Sequence, residues 1–215
     1  MYKPVMYVGP SMTNSKLPNE INSLFDVRPP VKRGDIPDLI KSNSKPDQII
    51  IVDGIFKASP SVGHKEILDA MEVGVKVDGV SSMGAIRAFE LRGFGMRGHG
   101  KIFGMLDIDD EVTDDEITLI HLPRKPYNHF SVPLVNVRAA LERISVIPSY
   151  QNEIIQHLKS YYFGDRTVEL VIDLLSRFEL ITETQKELLV SEISDYDQKT
   201  RDLDEFVIKF QSGVL

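Results

Sequence analysis

Apolar residues change their spacing part-way along the chain. Over the first part, short apolar runs alternate with stretches at helical spacing. Residues 5–8 form a short run closed by Gly9-Pro10-Ser11. Residues 48–53 hold four consecutive β-formers, Ile49-Ile50-Ile51-Val52, between Asp47 and Asp53-Gly54. A run that is apolar on both faces suits a strand covered by helices on both sides. Ser59-Pro60-Ser61 offers a helix start, with capping hydroxyls and a proline near the first turn. Residues 64–73 continue it with Ile67, Leu68 and Met71 on one face, and Gly74 ends it. Residues 75–80 predict another strand, and Ser81-Ser82-Met83-Gly84 turns into a helix running to Leu91. Strand, helix, strand and helix in that order predict an α/β layer architecture. Residues 117–122 read as a further strand, followed by a proline-punctuated connection over 123–133.

From Leu134 the pattern is helical. Leu134, Val137, Leu141 and Ile144 recur at helix spacing, and Val168, Val171, Ile172, Leu175 and Phe178 share one stripe. Thr182-x-x-Gln185 has the form of a capping box, and Leu203, Phe206, Val207 and Phe210 mark a last helix. The expected fold is thus α/β: a mostly parallel sheet with flanking helices over 1–133, then an α-helical region over 134–215.

Composition narrows the functional classes. The 215 residues contain no cysteine, which removes disulfides, a thiolate nucleophile, a persulfide carrier and thiolate metal sites. The net charge of -7 argues against broad contact with a phosphate backbone, so no nucleic-acid partner is expected. Residues 1–133 carry 16 basic and 18 acidic side chains against 9 and 14 in 134–215, so most of the excess acid lies on the helical part. There is no signal-like start and no run of membrane-span length, so a cytoplasmic protein without a membrane partner is expected.

The turn Val80-Ser81-Ser82-Met83-Gly84-Ala85 places serine between a strand end and a helix start. Backbone N–H groups there lack intrahelical partners and point outward, as acyl transfer beside a serine oxygen requires. The spacing departs from G-x-S-x-G, and Ser81 or Ser82 would serve equally as a helix cap. A serine nucleophile needs a base, and His64 and Lys65 begin the preceding helix, on the sheet edge expected for Ser82. Lysine is a base only as the neutral amine, with its pKa brought well below ~10 by burial or the positive helix end. The plainer reading has Lys65 exposed and paired with Asp69 at i+4, and His64 in a structural hydrogen bond. Arg87, one turn after Ser82, would add positive potential or bind a substrate carboxylate. Gly9-Pro10-Ser11 and Asp53-Gly54 fall at strand carboxyl ends, where open α/β sheets place ligands, or are simple turns. Gly93-x-Gly95-x-x-Gly98 follows a helix rather than a strand and reads as a helix stop. Asp107, Asp109, Asp110, Glu111, Asp114, Asp115 and Glu116 form the densest acidic patch. It lacks EF-hand spacing and reads as a solvated loop or the docking site of a basic partner. No metal or cofactor is assigned.

Several segments occur together in the order found in one family. They are Gly9-Pro10-Ser11, Arg28-Pro29-Pro30, Arg33-Gly34-Asp35, Asp53-Gly54-x-Phe56 and His64-Lys65-Glu66-Ile67-Leu68, then Ser82-Met83-Gly84-Ala85-x-Arg87-Ala88-x-Glu90, Asp109-Asp110-Glu111-Val112 and Val135-Asn136-Val137-Arg138. As an ordered set over roughly 5–141 they resemble the TfuA family. Phe89 departs from the small residue usual after Arg-Ala, and Asp78 and His99 replace commonly uncharged positions.

The resemblance implies an accessory protein of peptide backbone thioamidation. In that chemistry a YcaO enzyme activates the amide with ATP. The TfuA partner hydrolyses the C-terminal thiocarboxylate of a ThiS-like ubiquitin-fold carrier, releasing sulfide, and assists substrate engagement by YcaO. Implied partners are the YcaO enzyme, the carrier and the substrate peptide. The family's hydrolase-like Ser–Lys pair maps onto Ser82 and Lys65, with Ser81 and Ser11 as rival nucleophiles. Gly9, Pro10, Ser11, Asp53, Gly54, His64, Met83, Gly84 and Arg87 are then expected around the substrate. Met83 and Gly84 would present oxyanion N–H groups, and Gly9, Gly54 and Gly84 would shape a narrow groove. The alternatives are a non-catalytic YcaO-binding activator and an anion- or nucleotide-binding module at the Gly9 and Ser81 loops.

Overall fold

The apolar run at 49–52 supplies the central strand of a five-stranded, all-parallel sheet. The computed structural model describes residues 2–55, 60–108, 114–177, 182–195 and 197–215. In chain order the elements begin with β1 (Val5–Tyr7), α1 (Pro18–Leu24), β2 (Asp26–Arg28), α2 (Asp35–Lys41), β3 (Gln48–Ile51) and α3 (His64–Glu72). There follow β4 (Lys76–Val80), α4 (Ser81–Leu91), β5 (Arg97–His99), α5 (Lys101–Ile108), α6 (Asp114–Ile117) and α7 (Leu134–Arg143). The chain ends with α8 (Pro148–Lys159), α9 (Val168–Arg177), α10 (Glu183–Asp195) and α11 (Gln198–Gln211). Two compact units result, one of 1–110 with 199–215 and one of 111–198.

The first unit contains the sheet, in the order β2-β1-β3-β4-β5. Val5, Tyr7, Ile49, Ile51 and Val77 face Ile36, Leu39, Ile67 and Ala70 of α2 and α3. Met6, Val8, Ile50, Val52 and Val80 face Ile21 of α1 and Leu203, Phe206 and Val207 of α11. Alternate strand residues thus enter two cores, which is why the β3 run is apolar throughout. On α11 the three apolar residues form an i, i+3, i+4 stripe, and full burial contributes about 1.5–3 kcal/mol for each large side chain.

One strand position breaks this pattern. Asp78 of β4 is fully buried, with Oδ2 accepting from Gln48 Nε2 at 2.7 Å and Arg97 Nη2 at 2.8 Å. Its Oδ1 lies 2.7 Å from His99 Nε2, and the His99 ring meets Phe206 edge-on. Asp78 and His99 are therefore partners across the β4–β5 pair.

The second unit is helical. Leu134, Val137 and Leu141 of α7 pack with Ile154, Ile155 and Leu158 of α8, Val171 and Leu175 of α9, and Leu189 of α10. The capping box at the start of α10 forms: Thr182 N–H donates to Gln185 Oε1 at 3.0 Å, and Gln185 N–H to Thr182 Oγ1 at 3.2 Å.

Two local expectations are corrected. Helix α3 begins at His64, after the expected Ser59-Pro60-Ser61 start, of which Ser59 lies outside the described residues, because Glu66 Oε1 accepts the Gly63 N–H at 3.0 Å and closes the first turn there. Residues 117–122 are not a strand: α6 occupies 114–117, and the remainder makes an isolated bridge, His121 with His129. Glu116 is fully buried on Arg138 (2.9 and 3.0 Å) and Lys159 (3.1 Å), so this part of the acidic patch is internal structure rather than solvated loop. Asp109, Asp110 and Glu111, and Phe178 of the α9 stripe, lie outside the described residues. Among the described residues, no helix is long and apolar enough to cross a membrane.

Candidate functional site

In this strand order the chain leaves β1 toward β2 on one side and continues to β3 on the other. The carboxyl ends of β1 and β3 therefore border a switch point, where open α/β sheets bind ligands. Gly9 and Ser11 follow β1, and Asp53 follows β3. Asp53 Oδ2 accepts the Gly9 N–H at 2.8 Å and the Ser11 N–H at 2.9 Å, and its Oδ1 accepts the Ser11 hydroxyl at 2.7 Å. Ser81 enters from the end of β4, its Oγ 3.4 Å from Ser11 Oγ. Because the Ser11 hydroxyl is donated to a carboxylate, Ser81 is the donor in that contact. The result is a directed row, Ser81 to Ser11 to Asp53, in which Ser11 and Ser81 are fully buried and Asp53 nearly so.

The β4–α4 turn is strained at its serine. Ser81 has φ of 62°, a left-handed conformation that costs a side-chain-bearing residue about 1–3 kcal/mol. Ser82 is also non-helical, with ψ of -120°. The turn holds because α4 lies against the sheet almost without separation. A Cβ on Gly79 would stand 2.0 Å from the Gly84 carbonyl oxygen, and one on Gly84 would stand 1.8 Å from the Ile51 carbonyl oxygen. Gly79 and Gly84 thus perform around Ser81 the spatial task that the two glycines of G-x-S-x-G perform, with the second glycine one position later.

Gly84 does not serve as expected. Its N–H donates to the Val52 carbonyl at 3.0 Å, so it is not an oxyanion donor. Among the described residues, the Ser82 and Met83 N–H groups meet no acceptor, and Ser82 is the residue after the strained serine. Nor do Gly54 and Gly84 open a groove, since a Cβ on Gly54 would stand 2.6 Å from Met83 Cγ. These glycines admit close packing instead.

The remaining expected residues fall elsewhere. The Lys65 side chain is 85% exposed and donates to Asp69 Oδ1 at 2.8 Å. That bond, together with the Asp69 charge, raises its pKa, the opposite of what a base needs. The geometry therefore does not bring Ser82 and Lys65 together as a catalytic pair. His64 Nε2 lies 2.7 Å from Glu90 Oε2, and Arg87 donates to the same Glu90 oxygen at 2.5 Å and to the Val62 carbonyl at 3.1 Å. Those three side chains tie the start of α3 to α4, so Arg87 carries its carboxylate already. Pro10 opens the single turn that presents Ser11.

A cleft of about 450 Å³ lies along the β1–β2 edge, lined by Tyr7, Arg28, Lys32 and Ile55 among others. Ile55 is two residues beyond Asp53, and the Tyr7 carbonyl accepts the N–H groups of Val52 and Asp53 at 2.9 and 3.1 Å. Burial, foremost, and the charge of Asp35 push the Tyr7 phenol up to about 12 against the opposing Arg28. The cleft carries Arg28 and Lys32 as its cations and Asp35 and Asp38 as its acids, and Arg28 is already paired with Asp26 at 2.9 Å.

These features define an α/β protein with a strained strand-to-helix serine and a serine–aspartate row at the switch point of its sheet. The family model for TfuA-like protein matches residues 53–167, more than half of the chain, and the chain belongs to that family. No curated protein matches it. The matched region takes in Asp53, Ser81 and Ser82, whereas Ser11 and α11 lie outside it.

Ser11, Asp53 and Ser81 are thus legible from strand ends and turn serines, whereas Gly79 is signalled only by the half-motif Gly79-x-Ser81.

Proposed function

We propose that this TfuA-like protein assists YcaO-dependent peptide thioamidation by hydrolysing the C-terminal thiocarboxylate of a ThiS-like carrier, with Ser81 as nucleophile. The observation that carries this reading is the directed row from Ser81 through Ser11 to Asp53 at the end of a strained turn. The absence of cysteine supports a hydroxyl rather than a thiol as the releasing group.

In the proposed reaction, Ser81 Oγ attacks the carbonyl carbon of the protonated thiocarboxylate, and its proton passes through Ser11 to Asp53. The Ser82 N–H faces the developing oxyanion. The C–S bond then breaks, and the sulfur leaves as sulfide carrying the proton returned from Asp53. Water cleaves the resulting ester, giving the carrier carboxylate and free Ser81. The carrier tail approaches along the cleft lined by Tyr7, Arg28, Lys32, Asp35 and Asp38.

Ser81→Ala is expected to abolish sulfide release from a thiocarboxylated carrier, followed by mass spectrometry of the carrier C-terminus, while Ser82→Ala retains most of it. Full release by Ser81→Ala overturns this reading. The complete burial of Ser11 and Ser81 favours a second one, in which the row is structural and the protein activates YcaO by binding alone. Under that reading Ser81→Ala supports thioamidation as well as wild type when free sulfide is supplied, and no carrier is consumed by either.

A further inference from the structure

We propose that Thr200, on the C-terminal helix, is a positioning residue for the Ser81–Ser11–Asp53 row, an inference that rests on the hydrolytic reading of that row. Thr200 Oγ1 donates to the Ser11 carbonyl at 2.9 Å, in a contact closed to solvent. Ser11 is thereby held on every polar group it owns: its N–H and hydroxyl on Asp53, its carbonyl on Thr200. The bond on the carbonyl sets the plane of the peptide that follows Ser11, and so limits how the loop can rotate its hydroxyl away from Ser81.

Helix α11 is seated so that this contact is reproducible. One turn beyond Thr200, Asp204 accepts from Ser15 Oγ at 2.5 Å and from the Lys16 N–H at 3.3 Å, so two residues at i, i+4 grip the same 11–16 segment. On the neighbouring face, Asp202 accepts the N–H groups of Lys101 and Ile102 at 3.0 and 2.9 Å, capping the start of α5. Leu203, Phe206 and Val207 anchor the apolar side. A helix bound by packing alone would tolerate small rotations. The carboxylates remove that freedom and deliver the Thr200 hydroxyl to one carbonyl. The site is thus completed by two segments from outside the family-matched region, Ser11 from the start of the chain and Thr200 from its last helix.

The test compares full-length wild type, Thr200→Val, which keeps the side-chain shape without the hydroxyl, and Thr200→Ser, which restores it. Two readouts are taken: amide hydrogen exchange at Gly9 and Ser11, and the kcat and KM for sulfide release from a thiocarboxylated ThiS-like carrier. Loss of one buried hydrogen bond is expected to speed exchange at those two amides by about tenfold in Thr200→Val, with Ile50 and Ile51 unchanged. It is also expected to lower kcat by about tenfold with KM unaltered, and Thr200→Ser returns both to wild type. Wild-type exchange at Gly9 and Ser11 in Thr200→Val overturns the proposal, as does a loss of kcat that Thr200→Ser does not repair. If wild type itself releases no sulfide, the hydrolytic reading fails and the catalytic part of the inference with it. The exchange data then still decide whether Thr200 holds Ser11.

Discussion

Asp53→Asn is the sharpest perturbation of the site, because it changes one charge and almost no volume. In the wild type a nearly buried carboxylate accepts three hydrogen bonds of 2.7–2.9 Å. Bonds to a charged acceptor contribute about 1.5–3 kcal/mol each, against about 1 for neutral pairs. The asparagine amide has two ways to sit. With its NH₂ toward Gly9 and Ser11, two buried N–H groups lose their acceptor at about 1–3 kcal/mol apiece, so that orientation is rejected. With its oxygen there, the NH₂ faces Ser11 Oγ and reverses that bond, and Ser11 turns its hydrogen toward Ser81. The stability loss is then the difference between charged and neutral bonds, roughly 2–4 kcal/mol, or a Tm lower by roughly 6–12 °C. Reversal of the row leaves Ser81 without a path to a base, so sulfide release is expected to fall about 10²- to 10⁴-fold. Scanning calorimetry and a sulfide-release assay on the same preparation separate the two effects. A variant that melts with wild type refutes the clamp. One that melts early but releases sulfide at the wild-type rate refutes the relay and leaves Asp53 as a structural tie.

Three further outcomes are expected. Lys65→Ala should melt and release sulfide as wild type does, since an exposed i, i+4 pair contributes little; a loss of release as large as that of Ser81→Ala would restore the Ser–Lys pairing. Gly84→Ala should be destabilised by about 3 kcal/mol or more, because the added Cβ meets the Ile51 carbonyl, a backbone atom that cannot swing aside; a wild-type melting curve would contradict this. Burial pushes the Asp78 carboxyl up, but the bonds from His99, Arg97 and Gln48 and the Arg97 charge outweigh it, leaving its pKa below the ordinary 3.8. Its folded value is thus lower than its unfolded one, so its contribution is present above about pH 4 and is lost as pH falls through the folded value. Urea midpoints taken from about pH 6 down to 3 should fall steeply at the acid end in wild type and less in Asp78→Asn, and parallel curves would refute it.

What the sequence made legible follows from how much local pattern each element needs. Strand β3 is central and buried on both faces, so four apolar residues in a row announce it. Strands β2 and β5 lie at the sheet edges and read Asp-Val-Arg and Arg-Gly-His, with no apolar alternation to find. Their pairing comes from the parallel register with β1 and β4, which is a tertiary fact. The periodicity of α11 declares a helix and its apolar stripe, but its docking against Met6, Ile50 and Val80 joins residues some 120 to 200 positions apart. Nothing local to Leu203 or Phe206 specifies that. The turn of α6 departs from its local pattern for a related reason. Ile117 and the residues after it look strand-like, while the burial of Glu116 on Arg138 and Lys159 draws the preceding acids into a helix.

The site repeats this division between local signal and distant cause. Lys65 found its partner at i+4, the nearest available acid, and a base reached only by burial was therefore never formed. Ser82 and Ser81 are adjacent and both buried, but the left-handed φ and the link to Ser11 fall on Ser81 alone. Motif spacing is a proxy for a spatial requirement, here that a helix begin almost in contact with the strand before it. Gly79 and Gly84 satisfy that requirement at a separation of five, because the non-helical ψ of Ser82 places one more residue in the turn before the helix proper. A rule written in residues rejects this turn, whereas the same rule written in distances accepts it. The proposed role of Ser81 likewise rests on a distance, the 3.4 Å between its Oγ and Ser11 Oγ, and not on motif spacing.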